Sequence, residues 1–195
     1  MVHLLCMNVY DFDNTIYDGE SCFDLFLFYI RRHPGLLRLL PKVVLAFAKY
    51  KRGKVTAEAF LQSYAPLVSQ ELRKIPDVGA DMRAFWDRHM HKIKPFYAHV
   101  RQEDDWIITA APDFSMHEVC RRLGIRHCLS TRVDPDTCEI LHFNLRERKI
   151  DAFRAACPDG KIDKFYTDSP RNDAPLIALA KEAYVVKGNR ITRVK

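Results

Sequence analysis

Two carboxylates stand two residues apart near the start of the chain, in Val9-Tyr10-Asp11-Phe12-Asp13-Asn14-Thr15. Along an extended strand alternate side chains share a side, so Asp11 and Asp13 project together while Phe12 points the other way, where it packs. Like charges held that close repel and raise one pKa, unless a cation sits between them or one carboxyl works as an acid. A hard divalent metal satisfies such a pair. A bare D-x-D also ends many ordinary strands in an Asp-rich turn, so the rest of the chain has to decide.

Two further apolar runs end in polar groups. Trp106-Ile107-Ile108 leads into Thr109, ahead of Ala110-Ala111-Pro112, and Lys164-Phe165-Tyr166-Thr167 leads into Asp168, with Asp173 close behind. Each reads as a buried strand with an oxygen donor at its carboxyl end, the edge where open α/β sheets bind ligands. Carboxylates and oxygen donors with no Cys or His among them fit Mg2+, which prefers oxygen, keeps waters and bridges phosphates. Phosphoryl oxygens also need a cation from the protein. Lys149, at the start of the helix before the Asp168 strand, reaches the same edge; Lys161 and Lys164 are rivals on spacing.

The elements that must position these groups follow from the pattern. Residues 4–10 are mostly apolar and bounded by polar ones, as in a central strand of a parallel sheet. Asp18-Gly19 marks a turn, and Ser21 with Asp24 three residues on resembles a capping pair opening a helix through Ile30. Pro34-Gly35 ends it. A second helix is predicted over 36–51, with Pro41 kinking it or sitting in its first turn, a third from Thr56 to about Tyr64, and a fourth over 78–92. From residue 95 the texture alternates: strand 106–109, helix 114–123, strand 125–133, a hairpin return over 139–143, helix 146–156, strand 164–167, helix 174–181, strand 183–186, and a Gly188-Asn189 turn into 190–194. That alternation predicts a parallel sheet covered on both faces. The expected organisation is an α/β, Rossmann-like core of residues 1–19 and 94–195, with an all-helical cap of residues 20–93 inserted after the first strand.

At 195 residues the chain is long enough for one such core with a modest insertion, and 48% hydrophobic with 29% charged residues excludes a disordered chain or a membrane bundle. The balance of 31 Lys and Arg against 25 Asp and Glu, a net +6, attracts anions without choosing among them. The six cysteines show no C-x-x-C spacing and read as reduced core residues, so a cytoplasmic location is expected. His89 and His91 form an H-x-H with no evident third ligand.

The ordered set Asp11-Phe12-Asp13-Asn14-Thr15, the run into Thr109, Lys149, and Thr167-Asp168-Ser169-Pro170-Arg171-Asn172-Asp173 resembles the four motifs of the haloacid dehalogenase superfamily of phosphohydrolases. The helical insert between the first two motifs resembles the phosphoserine-phosphatase-like branch. This implies a Mg2+-dependent phosphatase acting on a small-molecule phosphate monoester, with no nucleic-acid partner. Asp11 would be the nucleophile that becomes an aspartyl phosphate, and Asp13 the acid and then the base. Thr109, Ala110 and Lys149 would hold the phosphoryl group, and Glu20 would face the substrate. Asp11, the backbone carbonyl of Asp13, and Asp168 would ligate Mg2+, with Asp173 acting through water. Thr15 reads as a brace for the loop.

Three departures stand out. Asn14 replaces the commoner glycine, Ala110-Ala111 stands where phosphoserine phosphatases have two glycines, and four residues separate Asp168 from Asp173 where three are typical. The basic apolar block from Phe26 to Lys54, with Asp168 to Leu176, is also similar to bacterial phosphatidylglycerophosphatases of this superfamily. That alternative implies a phospholipid headgroup as substrate and a block lying on an anionic membrane surface. The other reading is a helix packed in the cap. A response-regulator receiver or a catalytically silent phosphate-binding relative is a further alternative. The receiver layout lacks a large insertion after strand one, and no carboxylate of the set is missing here.

Overall fold

The run Cys6-Met7-Asn8-Val9-Tyr10 forms strand β1 (Cys6–Tyr10), and its alternation supplies both halves of the core. Met7 and Val9 face one hydrophobic cluster with Trp106, Ile108, Phe153 and Phe165. Tyr10, and Phe12 just beyond the strand, join the other with Trp86, Ile107, Met116 and Tyr166. A strand apolar on both faces needs cover on both, as in parallel sheets flanked by helices. The computed structural model describes residues 6–56, 59, 66, 69–71 and 73–195.

Six more strands complete the sheet: β2 (Trp106–Pro112), β3 (His127–Val133), β4 (Ile140–His142), β5 (Lys161–Thr167), β6 (Glu182–Lys187) and β7 (Arg190–Arg193). The order is β4-β3-β2-β1-β5-β6-β7, an α/β, Rossmann-like arrangement. β1 pairs in parallel with β2 on one side and β5 on the other; β2 with β3 and β5 with β6 are also parallel. Only the edge strands β4 and β7 return antiparallel. The strand order therefore reverses at β1, so a crevice opens beyond its carboxyl end. The cross-strand row Tyr10, Tyr166, Tyr184 stacks with ring centroids 4.8 and 4.9 Å apart, locking β1, β5 and β6 in register.

Between β1 and β2 the described chain is helical: α1 (Ser21–Arg32), a 3-10 turn (Pro34–Leu39), α2 (Leu40–Lys51), α3 (Val78–His89), a 3-10 turn (Met90–Lys92) and α4 (Pro95–Val100). The third expected helix, 56–64, falls largely outside the described residues. The single helix expected over 36–51 is divided, because Pro34 opens a 3-10 segment and Pro41 lies in the first turn of α2, where a missing N–H costs no hydrogen bond. Helix α4 has no clear apolar period and was not anticipated; Pro95 at its start sets it off. After β2 come α5 (Asp113–Leu123), ended by Gly124 at φ 68°, α6 (Glu147–Ala156) and α7 (Ala174–Leu179). β2 continues past its expected end at Thr109 to Pro112, with a register shift against β3 between Ile108 and Pro112.

The basic apolar block has two faces. Leu36, Leu39, Val43 and Ala46, at helical spacing, are buried, the first three within the larger core cluster. Leu37, Val44 and Leu45 are exposed. Among the described residues no helix is long and apolar enough to cross a membrane.

Two stability outcomes follow. Leu36→Ala should cost about 2–5 kcal/mol in denaturant unfolding, as a buried truncation, whereas Leu45→Ala should stay within about 0.5 kcal/mol; equal effects would contradict this division of faces. Asp105, buried ahead of β2, accepts the Gln102 N–H at 2.7 Å, while its Oδ1 lacks a partner among the described residues. Burial lifts its carboxyl to about 6, against the lowering contributed by that N–H. A raised carboxyl binds its proton more tightly in the folded state, so its contribution to stability is complete below the unfolded value and declines as pH rises toward 6. Asp105→Asn should therefore raise the melting temperature at pH 7.5, and the gain should vanish near pH 4.

Candidate active site

The turn after β1 is built so that Asp11 and Asp13 face the crevice. The Asp11 N–H still bonds the sheet, donating to the Tyr166 carbonyl at 2.9 Å. Phe12 turns into the core against Tyr17 and Trp86, at centroid distances of 5.7 and 5.9 Å, and its carbonyl accepts the N–H groups of Ile16 and Tyr17, both at 2.9 Å. Trp86 is fixed in turn by donating its indole N–H to the Ser115 carbonyl at 2.9 Å. Asn14 adopts φ 57°, the left-handed conformation that asparagine tolerates where the commoner residue is glycine. Its Nδ2 donates to Glu20 Oε1 at 2.8 Å. Buried Lys94 donates its ammonium to the Asn14 carbonyl and its N–H to the Ile16 carbonyl at 2.8 Å, tying the loop to the segment before α4. Thr15 is fully buried, but its hydroxyl has no hydrogen-bond partner among the described residues, so the expected brace is not made by that group.

The expected capping pair of Ser21 and Asp24 does not form. Glu20 is the N-cap of α1 without a side-chain cap bond, and Ser21 is the first helical residue. Asp13 Oδ1 takes the place of a local cap, accepting the Ser21 N–H at 2.8 Å, where the positive end of the helix dipole favours an anion. Asp24 instead accepts the Tyr17 hydroxyl and the Lys92 ammonium, because the tertiary partners bind it more strongly than a local cap would. Burial lifts the Asp13 carboxyl to about 7; Ser21, through its hydroxyl and its N–H, pulls it down, and Glu20 and Asp168 push it up.

Lys149 enters from α6, whose Phe153 packs into the core beneath β2. Its ammonium lies 3.0 Å from Asp11 Oδ1 and 2.8 Å from Asp173 Oδ1, with 4% of its side chain exposed. Asp173, the N-cap of α7, also accepts the Thr167 hydroxyl at 2.6 Å from the end of β5. Burial pushes the Asp11 carboxyl up, Lys149 pulls it down, and Asp173 and Asp168 raise it again, leaving it above the usual carboxylate range. Burial also works against the Lys149 charge, but Asp11 and then Asp173 outweigh it and hold the ammonium protonated.

Thr109 lies within β2, buried, with its Oγ1 accepting the Ala111 N–H at 3.1 Å. Asn144, which has no distinguishing sequence context, secures this strand: its Nδ2 donates to the carbonyls of Thr109 at 3.0 Å and Leu129 at 2.9 Å. Thr131 completes the tie by donating to the Ala110 carbonyl at 2.7 Å.

One cavity of about 630 Å³ gathers the residues that the family resemblance assigned to catalysis, substrate and metal: Asp11, Asp13, Glu20, Thr109, Ala110, Lys149, Asp168 and Asp173 all line it. The rivals Lys161 and Lys164 do not; Lys161 is exposed at the opposite, amino end of β5. Arg52, Arg146 and Arg171 also line it, and sequence reasoning passed over them because scattered arginines carry no spacing signal. His89 stacks on Phe85 at 4.2 Å and its Nδ1 pairs with the Phe85 carbonyl at 2.7 Å. Of the cysteines, Cys120 is buried and free as expected, whereas Cys22 is exposed near the start of α1.

Among the described residues no three His, Cys, Asp or Glu groups form a ready cage for a metal ion. Mg2+ is commonly held by one or two carboxylates, with waters and substrate phosphate completing its shell. Asp11 and Asp168 both line the cavity, the donors are oxygens, and burial raises the proton affinity of Asp11 and Asp13, which a bound cation would offset by favouring their charged forms. The residues present fit the ion.

Comparison with known proteins agrees with this fold. A protein of unknown function from Bordetella pertussis Tohama I superposes with a TM-score of 0.71 at 18% identity, over 91% of this chain and 87% of that one. A phosphoserine phosphohydrolase-like protein from Francisella tularensis subsp. tularensis SCHU S4 superposes with a TM-score of 0.58 at 17% identity, over 92% and 86%. A probable phosphoserine phosphatase from Vibrio cholerae reaches a TM-score of 0.51 at 13% identity, over 92% of this chain and 56% of that one. At these identities the likeness is one of fold. No curated protein matches by sequence. Residues 9–178, from β1 through the Asp168–Asp173 loop into α7, match the family model of the haloacid dehalogenase-like hydrolases, and the chain belongs to that family of enzymes.

Proposed function

We propose that the protein is a phosphatase that hydrolyses a small-molecule phosphate monoester through a phosphorylated Asp11. The observation that carries this reading is the single buried ammonium of Lys149 shared by Asp11 and Asp173, with a second acid, Asp13, two residues from the first and facing the same cavity. Asp11 attacks phosphorus and the bond to the ester oxygen breaks, while Asp13 delivers its proton to that oxygen. Asp13 then takes a proton from water, whose oxygen attacks the aspartyl phosphate and releases inorganic phosphate, restoring Asp11. A carboxyl lifted to about 7 is matched to giving and then taking a proton near neutrality. Lys149 and Thr109 hold phosphoryl oxygens, and Asp173 with Thr167 keeps the Lys149 ammonium in place. Asp11, Asp168 and the Asp13 carbonyl would hold Mg2+, which supplies positive charge to the phosphoryl oxygens when bound. Phosphate monoesters hydrolyse so slowly unaided that this concentration of charge is what the reaction demands.

Residues 20–93 act in this reading as a cap inserted between two parts of the core, since Glu20, Arg52, Gly53, Val55 and Thr56 line the same cavity as the catalytic set. A second reading, a phospholipid headgroup as substrate, is favoured by the exposed Leu37, Val44 and Leu45 on the segment that leads to Arg52. A panel of soluble phosphate esters and headgroup phosphates separates the two.

Asp11→Asn should abolish turnover of a generic aryl phosphate, and excess chelator should do the same to the unaltered protein; undiminished hydrolysis by a folded Asp11→Asn protein would refute the mechanism. Lys149→Met should lose affinity for inorganic phosphate and also destabilise the fold by about 3–5 kcal/mol, because Asp11 and Asp173 are left buried without their cation. Phosphate binding by calorimetry and a denaturant melt read the two effects separately.

A further inference from the structure

The helical segment between β1 and β2 leaves and rejoins the sheet at one point. Around Tyr17 and Ile93 the outgoing and returning chains pair antiparallel: Asp18 donates its N–H to the Lys92 carbonyl and Lys94 donates its N–H to the Ile16 carbonyl, both at 2.8 Å. Three side chains close over this crossing. Asp24, in the first turn of α1, accepts the Tyr17 hydroxyl and the Lys92 ammonium, and that ammonium also lies 5.1 Å from the centre of the Tyr17 ring. Tyr17 is wholly buried, stacked on Phe12 and edge-on to Trp86. Burial, and then Asp24, push its hydroxyl well above the ordinary range, so it remains a donor. Gly19 runs directly against the cluster. At φ 126° it holds a conformation that side-chain-bearing residues rarely adopt, and a Cβ there would lie 3.3 Å from Lys92 Nζ and 3.7 Å from Asp24 Oδ2.

What the cluster fixes is the start of α1. Asp24 stands three residues after Ser21, a neighbour on the same helix face, and its own N–H donates to the Glu20 carbonyl at 3.0 Å. Holding the Asp24 carboxylate therefore holds the turn whose Ser21 N–H reaches Asp13 Oδ1 at 2.8 Å. The other end of the cluster is anchored through the Tyr17 ring to Phe12, the residue between Asp11 and Asp13. A tie serving stability alone could join the helical segment to the core anywhere along its length. This one joins the loop that carries Asp13 to the helix that bonds Asp13.

Resting on the phosphatase reading above, we propose that Tyr17, Asp24 and Lys92 form a clasp that positions the Asp13 carboxyl for proton delivery to the ester oxygen as the bond from phosphorus to that oxygen breaks. None of the three lines the cavity, so they are positioning residues that act through Ser21 and the Asp13 loop. Misplacing a reacting group by about 1 Å can cost about 10²-fold in rate.

The test varies the leaving group. 2,4-Dinitrophenyl, 4-nitrophenyl and phenyl phosphate share a ring but expel oxygens of increasing basicity, so the need for the Asp13 proton grows along the series. The quantity read is kcat/KM, which ends at the transfer to Asp11 and excludes the later use of Asp13 as a base. In Lys92→Met, kcat/KM for phenyl phosphate should fall about tenfold or more relative to that for the dinitrophenyl ester, and Lys92→Arg should recover most of the ratio. Once Asp13→Asn has removed the acid, Lys92→Met should change the ratio by less than about threefold. Asp24→Asn, which keeps the shape and removes the charge, should repeat the Lys92→Met pattern and serves if that variant does not fold. Amide hydrogen exchange reads the geometry without turnover: Lys92→Met should speed exchange of the Ser21 N–H about tenfold or more, while the Asp11 N–H, bonded to the Tyr166 carbonyl, keeps its rate. An equal fall for all three esters, a ratio change undiminished in the Asp13→Asn background, or unaltered Ser21 exchange in folded Lys92→Met protein would overturn the assignment. Absence of ester turnover by the unaltered protein would instead refute the phosphatase reading, and Ser21 exchange would still decide whether the clasp holds α1 against Asp13.

Discussion

The Lys149 ammonium lies 3.0 Å from Asp11 and 2.8 Å from Asp173, almost wholly out of water. A buried ion group of this kind adds little stability compared with a well-packed apolar core, yet it is strongly destabilised when one member is lost. Each partner is accordingly tied to a different part of the sheet. Asp11 follows β1, Lys149 rides on α6, and Asp173 caps α7 while accepting from Thr167 at the end of β5. The strands set the spacing of the charges, and the charges hold the loops that cross the sheet's carboxyl edge.

The same economy governs the turn after β1. One aromatic residue, Phe12, faces the core so that its two neighbours cannot, and the packing of Tyr17 and Trp86 around it makes the orientation of Asp11 and Asp13 a consequence of core formation. Asp13 then does two things with one side chain: it accepts the first free N–H of α1 and it presents an acid to the cavity. The entry of the helical segment and the proton affinity of the acid are thereby coupled through a single 2.8 Å bond.

What the sequence made legible was whatever local pattern encodes. Apolar runs bounded by polar residues identified β1, β2 and β5, and polar groups at the ends of those runs identified Asp11, Thr109 and Asp168, because a strand's burial leaves only its end free for polar chemistry. Helix ends were less legible. Ser21 and Asp24 have the spacing of a capping pair, but Tyr17 and Lys92, brought in by tertiary structure, take Asp24, and Asp13 takes the helix terminus. Asn144 and Lys94 were invisible for the same reason: their partners are the carbonyls of Thr109, Leu129 and Asn14, main-chain atoms that every residue has and no motif records. The arginines of the cavity come from three separate segments, so only folding shows that they meet.

The cavity's charges are sorted by depth. Asp11, Asp173 and Lys149 are buried at the sheet edge, whereas Arg52 and Arg171 are exposed and Arg146 is half-buried. Coulomb interactions are several-fold stronger in the low-dielectric interior than at a solvated rim, and the rim is further screened by salt. Charges at the floor consequently hold fixed values and geometry, as a reaction with developing negative charge requires, while charges at the rim act at longer range on whatever approaches. A chain with a net charge of +6 already draws anions. Arg52, Arg146 and Arg171 add positive charge at the more solvated part of the cavity, so in the proposed reading the approach of an anion and the chemistry at Asp11 would depend on different residues.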